Sequence, residues 1–303
     1  MRVLVVGNPA AGLGGARGGA GALVRALEAR GHAVEARVTA ARGDAGRYAA
    51  EAEGKVDCIV AAGGDGTLAE ILNGLADPGA TLLAPMPLGT ANMLARALGV
   101  PAAPAALAAL IERGAARRLD LGLARFGAGP LLRFLSVAGI GFDAQVTEAI
   151  ARTRRGRLGF RGYVVPITRT LLGYRAPQLA VRLDGGAPVA CGFAIVGRLS
   201  NYGGVLRVTP EAEPDDGRLH ACLFRRASGP DLFRFVLPAF RGRLGARDDV
   251  LLRPAGALEV TAPAPVAVQL DGDYAGTTPV ALALAARAVP VLASRASRAA
   301  ASG

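Results

Sequence analysis

The chain has 303 residues and a formal net charge of +11, with 51% hydrophobic and 19% charged residues. This composition excludes an intrinsically disordered protein and predicts two folded domains, because one hydrophobic core rarely serves so long a chain. The charge alone does not indicate a nucleic-acid partner, since nearly all of it is arginine, as GC-rich codon usage produces, and Lys55 is the single lysine.

Cysteine usage and hydropathy favour a cytoplasmic protein. Cys58, Cys191 and Cys222 are widely spaced, each inside an apolar run, which is typical of buried free thiols in a reducing compartment. Two apolar stretches, at about 94–110 and 280–292, are interrupted by proline or arginine and fall short of the ~20 residues that a membrane-spanning helix needs. We therefore expect at most peripheral contact with a membrane surface.

Strand and helix patterns alternate over the first third of the chain. Apolar runs predict strands at residues 3–6, 34–38, 57–61 and 82–85, with helices at 20–29, up to about 53, and from 68 to 75. This alternation predicts an α/β domain with a parallel sheet, in which ligands bind at the carboxyl ends of the strands.

From about residue 121 the pattern changes to short apolar runs separated by turn residues, which predicts a mainly antiparallel β-sandwich. Strands are predicted at 131–138, 178–183, 189–196, 218–224, 257–261 and 266–270, and helical insertions near 147–172 and 230–244. We expect the first domain to span residues 1–122 and the second 123–284. Residues 285–303 are expected to return to the first domain and to end in a frayed tail.

Residues 63–67, with the sequence GGDGT, follow the third predicted strand and open a helix. Glycines there allow a tight turn and close approach of the backbone to a ligand, and N–H groups at a helix start favour phosphate oxygens. Asp65 is expected to hold Mg²⁺ through water or to orient a donor, and Thr67 to cap the helix or bond a phosphate. An ordinary glycine-rich turn with a capping threonine is the alternative, but it would not need the embedded acid.

Two further turns extend this candidate phosphate site. Gly89, Thr90 and Asn92 follow the fourth strand and combine a position of close approach with two neutral donors. The turn after the first strand, for which a bare turn is an equal alternative, consists of Asn8, Pro9, Ala10, Ala11 and Gly12.

Acidic turns in the second half supply candidate catalytic and metal-binding groups. Asp271 and Asp273 lie at a strand end, where a carboxylate could accept the proton of an attacking hydroxyl. An ordinary Asp-Gly hairpin turn is the alternative. Asp216, in the turn 211–218, could bind a hard cation together with backbone carbonyls, or could simply be a solvated turn acid.

Seven short motifs occur in order along the chain, and together they resemble the diacylglycerol kinase catalytic-domain family, which includes bacterial lipid kinases and sphingosine-type kinases. The motifs are Asn8-Pro9 with Gly12; residues 63–67 with Glu70 and Asn73-Gly74; Gly89-Thr90 with Asn92; GIGFDA at 139–144; NYGG at 201–204; Pro210 with DGRL at 216–219; and LDGD at 270–273.

The resemblance implies an NAD kinase-like α/β domain, a β-sandwich, and the cofactors ATP and Mg²⁺. Asp65 would organise the Mg²⁺ and water network, and Asp273, beside Asp271, would take the proton of the acceptor hydroxyl. A second, structural Mg²⁺ site would use Asp216 with the carbonyls of Glu213 and Arg218. The nucleotide would be lined by Asn8, Pro9, Ala10, Ala11, Gly12, Thr39, Gly63, Gly64, Asp65, Gly66, Thr67, Leu68, Ala69, Glu70, Gly89, Thr90 and Asn92.

Three positions depart from the family pattern. Met93 stands where many members carry an acid, so part of the metal-linked network is expected to be missing or rerouted. Asp273 replaces the more usual glutamate and has a shorter reach. Arg17 is the candidate substitute for a lysine that often follows the first turn.

The expected reaction is transfer of the ATP γ-phosphoryl group to a hydroxyl of a diacylglycerol-like or sphingoid lipid, a step of phospholipid biosynthesis. Between Arg152 and Arg175 there are seven arginines and no acid. This cluster is expected to contact anionic headgroups where the lipid enters near residues 158–172, with a solvated helical face as the alternative.

Other functions stay open at this point. An NAD kinase and a catalytically lapsed regulatory protein that binds lipid or nucleotide are the main alternatives, and a homodimer is compatible with either. A nucleic-acid-binding protein ranks last, because only the positive charge supports it.

Overall fold

The computed structural model describes residues 1–11, 16–153, 168–171, 173–225, 227 and 229–294. The chain forms two compact units, one made of Met1–Leu121 with the C-terminal residues from Ala286, the other of Gly122–Ala285. The chain passes between the units inside two long strands, β5 (Ala116–Phe126) and β16 (Val280–Leu292).

The first unit is an α/β domain with a parallel sheet, as predicted. Its sheet has the order β2-β1-β3-β4-β16, and all pairings in it are parallel. β3 is buried at every position, because helices cover both faces of such a sheet. The elements before β5 are β1 (Arg2–Gly7), α1 (Ala16–Glu28), β2 (Ala33–Val38), α2 (Asp44–Ala52), β3 (Cys58–Gly63), α3 (Asp65–Gly74), β4 (Leu82–Pro87), α4 (Met93–Ala97) and α5 (Pro104–Glu112).

The second unit is an antiparallel β-sandwich, which also confirms the prediction. One sheet has the order β12-β11-β10-β7-β14-β15, and the facing layer is formed by β5, β6, β8, β9, β13 and β16. Both layers contribute buried side chains to one core, among them Phe134, Val181, Val196 and Leu223. The elements are β6 (Leu131–Phe134), β7 (Val137–Ile140), α6 (Phe142–Thr153), β8 (Leu179–Leu183), β9 (Val189–Cys191), β10 (Phe193–Gly197), β11 (Leu219–Phe224), α7 (Gly229–Phe240), β12 (Val250–Ala255), β13 (Ala257–Thr261), β14 (Ala267–Leu270) and β15 (Asp273–Thr277).

Two predicted strands are each two strands in different layers. Residues 131–138 divide into β6 and β7 at Leu135 and Ser136, and residues 189–196 divide into β9 and β10 at Gly192. The single-strand prediction was wrong because the chain stays buried while it crosses from one layer to the other, so the apolar run shows no interruption. The prediction also missed β5, β12, β15 and β16.

The cysteines and the helices can be compared with what the composition predicts. Cys58, Cys191 and Cys222 are free and buried, and burial raises the pKa of the Cys58 and Cys191 thiols to about 12. Within the described residues, none of the helices has the length and hydropathy to cross a bilayer.

Candidate active site

The GGDGT run forms the turn between β3 and α3, at the carboxyl edge of the first unit's sheet. Gly64 is the N-cap of α3 and has extended backbone geometry, and no side chain caps the helix. The first-turn N–H groups of a helix have no partner inside the helix, so an uncapped N-terminus favours an anion. The turn therefore has the chemistry expected of a phosphate site.

The glycines of two neighbouring turns bring their backbones into contact. A Cβ at Gly89 would lie 2.5 Å from Cα of Gly64, and a Cβ at Gly63 would lie 2.3 Å from Oγ1 of Thr67. We expected these glycines to make room for a ligand. In the structure the room is taken by the chain itself, so their first requirement is close packing of the turns after β3 and β4.

Asn8 ties the turn after β1 to α3. Its Nδ2 donates to Oγ1 of the buried Thr67 at 3.0 Å, and its Oδ1 accepts from N of Ala10 at 2.9 Å. Thr67 thus lies inside the helix and binds the neighbouring turn instead of capping α3. Thr39 is buried beside β1, where its N–H donates to the Gly7 carbonyl at 2.9 Å.

Asp65 organises the turn after β4. Its carboxylate accepts hydrogen bonds from N of Met93 at 3.1 Å and N of Leu94 at 3.4 Å, at the start of α4. Burial raises the pKa of Asp65, and these backbone N–H groups oppose that rise. Of the two roles expected for Asp65, this geometry matches orientation of a donor segment. The backbone of Met93 supplies that contact, although its side chain is apolar.

Asn92 closes the same turn upon itself. Its backbone is left-handed, with φ of 48°, its Oδ1 accepts from N of Gly89 at 2.9 Å, and its Nδ2 donates to O of Gly89 at 2.8 Å. Thr90, between them, is exposed. Gly66 and Glu70 are half-buried along α3, Leu68 is buried, and Gly12 and the Arg17 side chain lie outside the described part of the chain.

Asp143 is the centre of a buried polar cluster in the second unit, which sequence reasoning did not assign to the site. Its Oδ2 accepts from Gln269 Nε2 at 3.0 Å and from Tyr202 Oη at 3.1 Å, and its Oδ1 accepts from N of Ala144 at 2.8 Å. Burial raises the pKa of Asp143 to about 6, although these hydrogen bonds oppose it. A Cβ at Gly139 would lie 1.8 Å from Oδ2 of Asp143, so the first glycine of GIGFDA makes room for the carboxylate.

The cluster extends to the turn between β14 and β15. Oε1 of Gln269 accepts from N of Gly272 at 2.7 Å, one residue before Asp273. The motifs at 139–144 and 201–204 therefore meet through Asp143 and Tyr202, and Gln269 connects them to the motif at 270–273, which it directly precedes. The presence of these motifs in one chain was the sequence signal that could have assigned Asp143 to the site.

Asp271 and Asp273 have different surroundings, although both are aspartates of the same short motif. Asp271 is buried with φ of 50°, and its carboxylate accepts from N of Leu135, Ser136 and Val137 at 2.7, 2.7 and 3.0 Å. These bonds satisfy the backbone where the chain crosses between layers, which gives Asp271 a structural role. Asp273 is half-buried at the first position of β15 and is the better candidate proton acceptor.

The turn expected to bind a structural Mg²⁺ is held together by hydrogen bonds to the Asp216 carboxylate. Oδ2 of Asp216 is 2.7 Å from Nε2 of His220 and 3.1 Å from N of Glu213, and Oδ1 accepts from N of Arg218 at 2.9 Å. The buried Arg198 donates to O of Pro214 at 2.6 Å. Both oxygens of Asp216 thus have hydrogen-bond partners in this segment, and the structural Mg²⁺ site stays a prediction.

Metal ligation can also be considered across the whole described chain. No group of three or more His, Cys, Asp or Glu side chains able to hold a metal occurs among the described residues. Mg²⁺ is commonly bound by one or two carboxylates together with the phosphates of a substrate, and Asp65 suits that mode through water. The residues therefore fit Mg²⁺ that arrives with a nucleotide.

The α/β domain with a phosphate-type turn and the antiparallel β-sandwich are the two parts of the fold, and sequence comparison matches both to kinase-related families. Residues 2–124 match the diacylglycerol kinase catalytic domain, and residues 136–293 match the YegS C-terminal NAD kinase beta sandwich-like domain.

Individual relatives agree over almost their whole length. A diacylglycerol kinase of Mycobacterium tuberculosis is 30% identical over 297 residues, covering 96% of this chain and 94% of the relative. One of Bacillus subtilis is 28% identical over 282 residues, covering 92% and 91%. A crystal structure of a diacylglycerol kinase from Bacillus anthracis has a TM-score of 0.76 and 28% identity, with 96% of each chain covered. The chain belongs to the diacylglycerol kinase family.

Proposed function

We propose that the protein transfers the γ-phosphoryl group of ATP to a hydroxyl of a lipid alcohol, with a diacylglycerol-like lipid as the acceptor. Family membership supports the kinase class, and the names of the relatives favour this lipid over NAD. The observation that carries the proposal is the carboxylate of Asp65 holding the turn after β4 against the uncapped start of α3.

ATP is proposed to bind at the carboxyl edge of the first unit's sheet. The uncapped N–H groups at the start of α3 would hold phosphate oxygens, and the turns at Asn8 and Gly89 would border them. Asp65 would fix the turn after β4 and hold water bound to Mg²⁺. When bound, Mg²⁺ would neutralise charge on the phosphates, which is a main requirement of phosphoryl transfer.

Asp273 is proposed to take the proton of the lipid hydroxyl as its oxygen attacks the γ-phosphorus and the bond to the β-phosphate oxygen breaks. Asp271 supports it by fixing the backbone on the other side of Gly272. Gln269, held by Asp143, fixes Gly272 itself. Asp273 thus starts β15 from a turn whose geometry is set on both sides.

The acceptor lipid resides in a membrane, so we propose peripheral association of a cytoplasmic protein with an anionic surface. The arginine cluster between Arg152 and Arg175 is the sequence feature that supports this, and most of it lies outside the described residues. Each arginine near such a surface contributes about 1 kcal/mol.

The test is ATP-dependent phosphorylation of a panel containing diacylglycerol, ceramide, sphingoid base and NAD. We expect diacylglycerol to be phosphorylated, and Asp65→Ala and Asp273→Ala each to lower turnover by about 10²-fold or more. Asp77→Ala and Asp248→Ala, which change other aspartates of the two units, serve as matched controls. Unchanged turnover in both site variants, or phosphorylation of NAD alone, would refute the assignment.

A further inference from the structure

Helix α7 carries an exposed apolar face that the proposed chemistry does not use. Of the eight large hydrophobic side chains that are exposed within the described residues, five lie on α7 or beside it. Their exposures are 62% for Phe233, 45% for Val236, 56% for Leu237, 53% for Phe240 and 59% for Val205. The four on the helix have the spacing i, i+3, i+4 and i+7, so they share one face.

The opposite face of α7 is fixed on the β-sandwich. Leu232, Phe235 and Ala239 are buried, and the ring of Phe235 lies 4.8 Å from the ring of Phe224 on β11. The guanidinium of Arg247 lies 5.1 Å from the centre of the Phe235 ring. The helix is therefore packed in place, and its exposed apolar face is a property of the folded unit.

Val205 lies in the segment that contacts the C-terminal end of the helix. N of Arg207 donates to O of Ala239 at 2.8 Å, which holds residues 205–207 against α7. We call Val205, Phe233, Val236, Leu237 and Phe240 the α7 patch. A contiguous exposed apolar patch on a folded protein marks an interaction surface.

The charge around the α7 patch identifies what it fits. Arg207, Arg241 and Arg243 are exposed beside it, and none of them forms an ion pair with a described residue. Residues 229–243 contain three arginines and one acid, Asp231. Asp249, the neighbouring acid, is bound to Arg247 at 2.8 Å and to Arg234 at 3.5 Å.

We propose that the α7 patch docks the protein onto an anionic lipid bilayer. Phenylalanine, leucine and valine side chains would enter the boundary between headgroups and acyl chains, while the three arginines would bind lipid phosphates, as in interfacial amphipathic helices. The three exposed arginines beside the patch favour the bilayer over a second copy, because lipid phosphates would neutralise them.

Vesicle binding tests the proposal without ATP and therefore independently of the proposed kinase activity. The full chain is sedimented with phosphatidylcholine vesicles and with mixed phosphatidylcholine and phosphatidylglycerol vesicles. We expect binding to the mixed vesicles that weakens with added salt. The double change Phe233→Ser with Leu237→Ser should lower this affinity about tenfold or more, and Arg241→Gln with Arg243→Gln roughly thirtyfold.

Matched changes of exposed residues away from the patch, Val38→Ser and Arg253→Gln, should leave binding unchanged. All patch positions changed are exposed, so the variants should keep the thermal unfolding of the unmodified chain. They should also keep activity on detergent-dispersed lipid while losing it on vesicles.

Two results would overturn the proposal. One is equal vesicle binding by the patch variants and the unmodified chain, or no binding by either. The other is a dimer, measured by light scattering, that Phe233→Ser with Leu237→Ser converts to a monomer, since that would assign the face to a second copy.

Discussion

The buried carboxylate of Asp143 should make the stability of the protein depend on pH in a way that a single substitution removes. Its pKa rises from the ordinary value of 3.8 to about 6 because the side chain is buried. The folded chain therefore binds a proton between these values that the unfolded chain has released. This contribution to stability is fully present below pH 3.8 and is lost as pH rises through about 6.

The loss corresponds to about 3 kcal/mol, spread over the window as about 1.4 kcal/mol for each pH unit. Asp143→Asn keeps the size of the side chain and removes the titration. It also leaves one of the donors from Gln269, Tyr202 or Ala144 without an acceptor, which costs about 1–3 kcal/mol at every pH.

Urea unfolding is followed by circular dichroism at a series of pH values from 3.8 to about 6. It measures the difference in stability between the unmodified chain and Asp143→Asn. The stability of the unmodified chain relative to Asp143→Asn should fall with rising pH at the slope given above and then level off. Tyr202→Phe removes a hydrogen bond that lowers the pKa of Asp143, so it should extend the fall to higher pH. A difference that stays flat through the window would refute the reasoning.

Three further changes test other parts of the site. Asp65→Asn weakens the acceptor at the start of α4 and should cost about 1–2 kcal/mol in thermal unfolding and lower ATP affinity; unchanged values for both would exclude the organising role. Gly89→Ala places a Cβ 2.5 Å from Cα of Gly64 and should cost about 1–3 kcal/mol by calorimetry, whereas an unchanged midpoint would mean that the turns are not packed together. His220→Ala removes one of the two partners of Asp216 Oδ2, so Mg²⁺ should raise the midpoint of the nucleotide-free variant more than that of the unmodified chain; midpoints that Mg²⁺ leaves unchanged in both would contradict a metal site at this turn.

Three strands of the parallel sheet could be predicted from the sequence because each is a separate buried run between turns. β1, β3 and β4 lie within a residue or two of their predicted positions. The sandwich was harder because strands that change layers remain apolar throughout. At Ser136 the break is produced by Asp271, a partner 135 residues away, and local periodicity cannot report such a contact.

The same limit applies to the glycines and acids of the phosphate turn. The sequence correctly placed Gly63, Gly64 and Asp65 between a strand and a helix. Whether a glycine makes room for a ligand or for another turn depends on Gly89, which approaches only when the sheet brings β3 and β4 together. The residue types were predictable, and the partner of each was not.

The two acids of the LDGD motif show that position in the fold gives residues of the same type different roles. Asp271 and Asp273 share a side chain and a motif, but the left-handed backbone at Asp271 turns its carboxylate toward three N–H groups at the layer crossing. A carboxylate that accepts so many backbone hydrogen bonds is held in place, and its oxygens are occupied by those bonds. Asp273 lies two residues after Asp271 and starts β15. Its orientation therefore depends on Asp271, which fixes the preceding backbone, and on Gln269, which binds Gly272 and is itself held by Asp143. Changing Asp143 should therefore affect catalysis through the position of Asp273, which links the pH-dependent stability of the sandwich to the proposed proton acceptor.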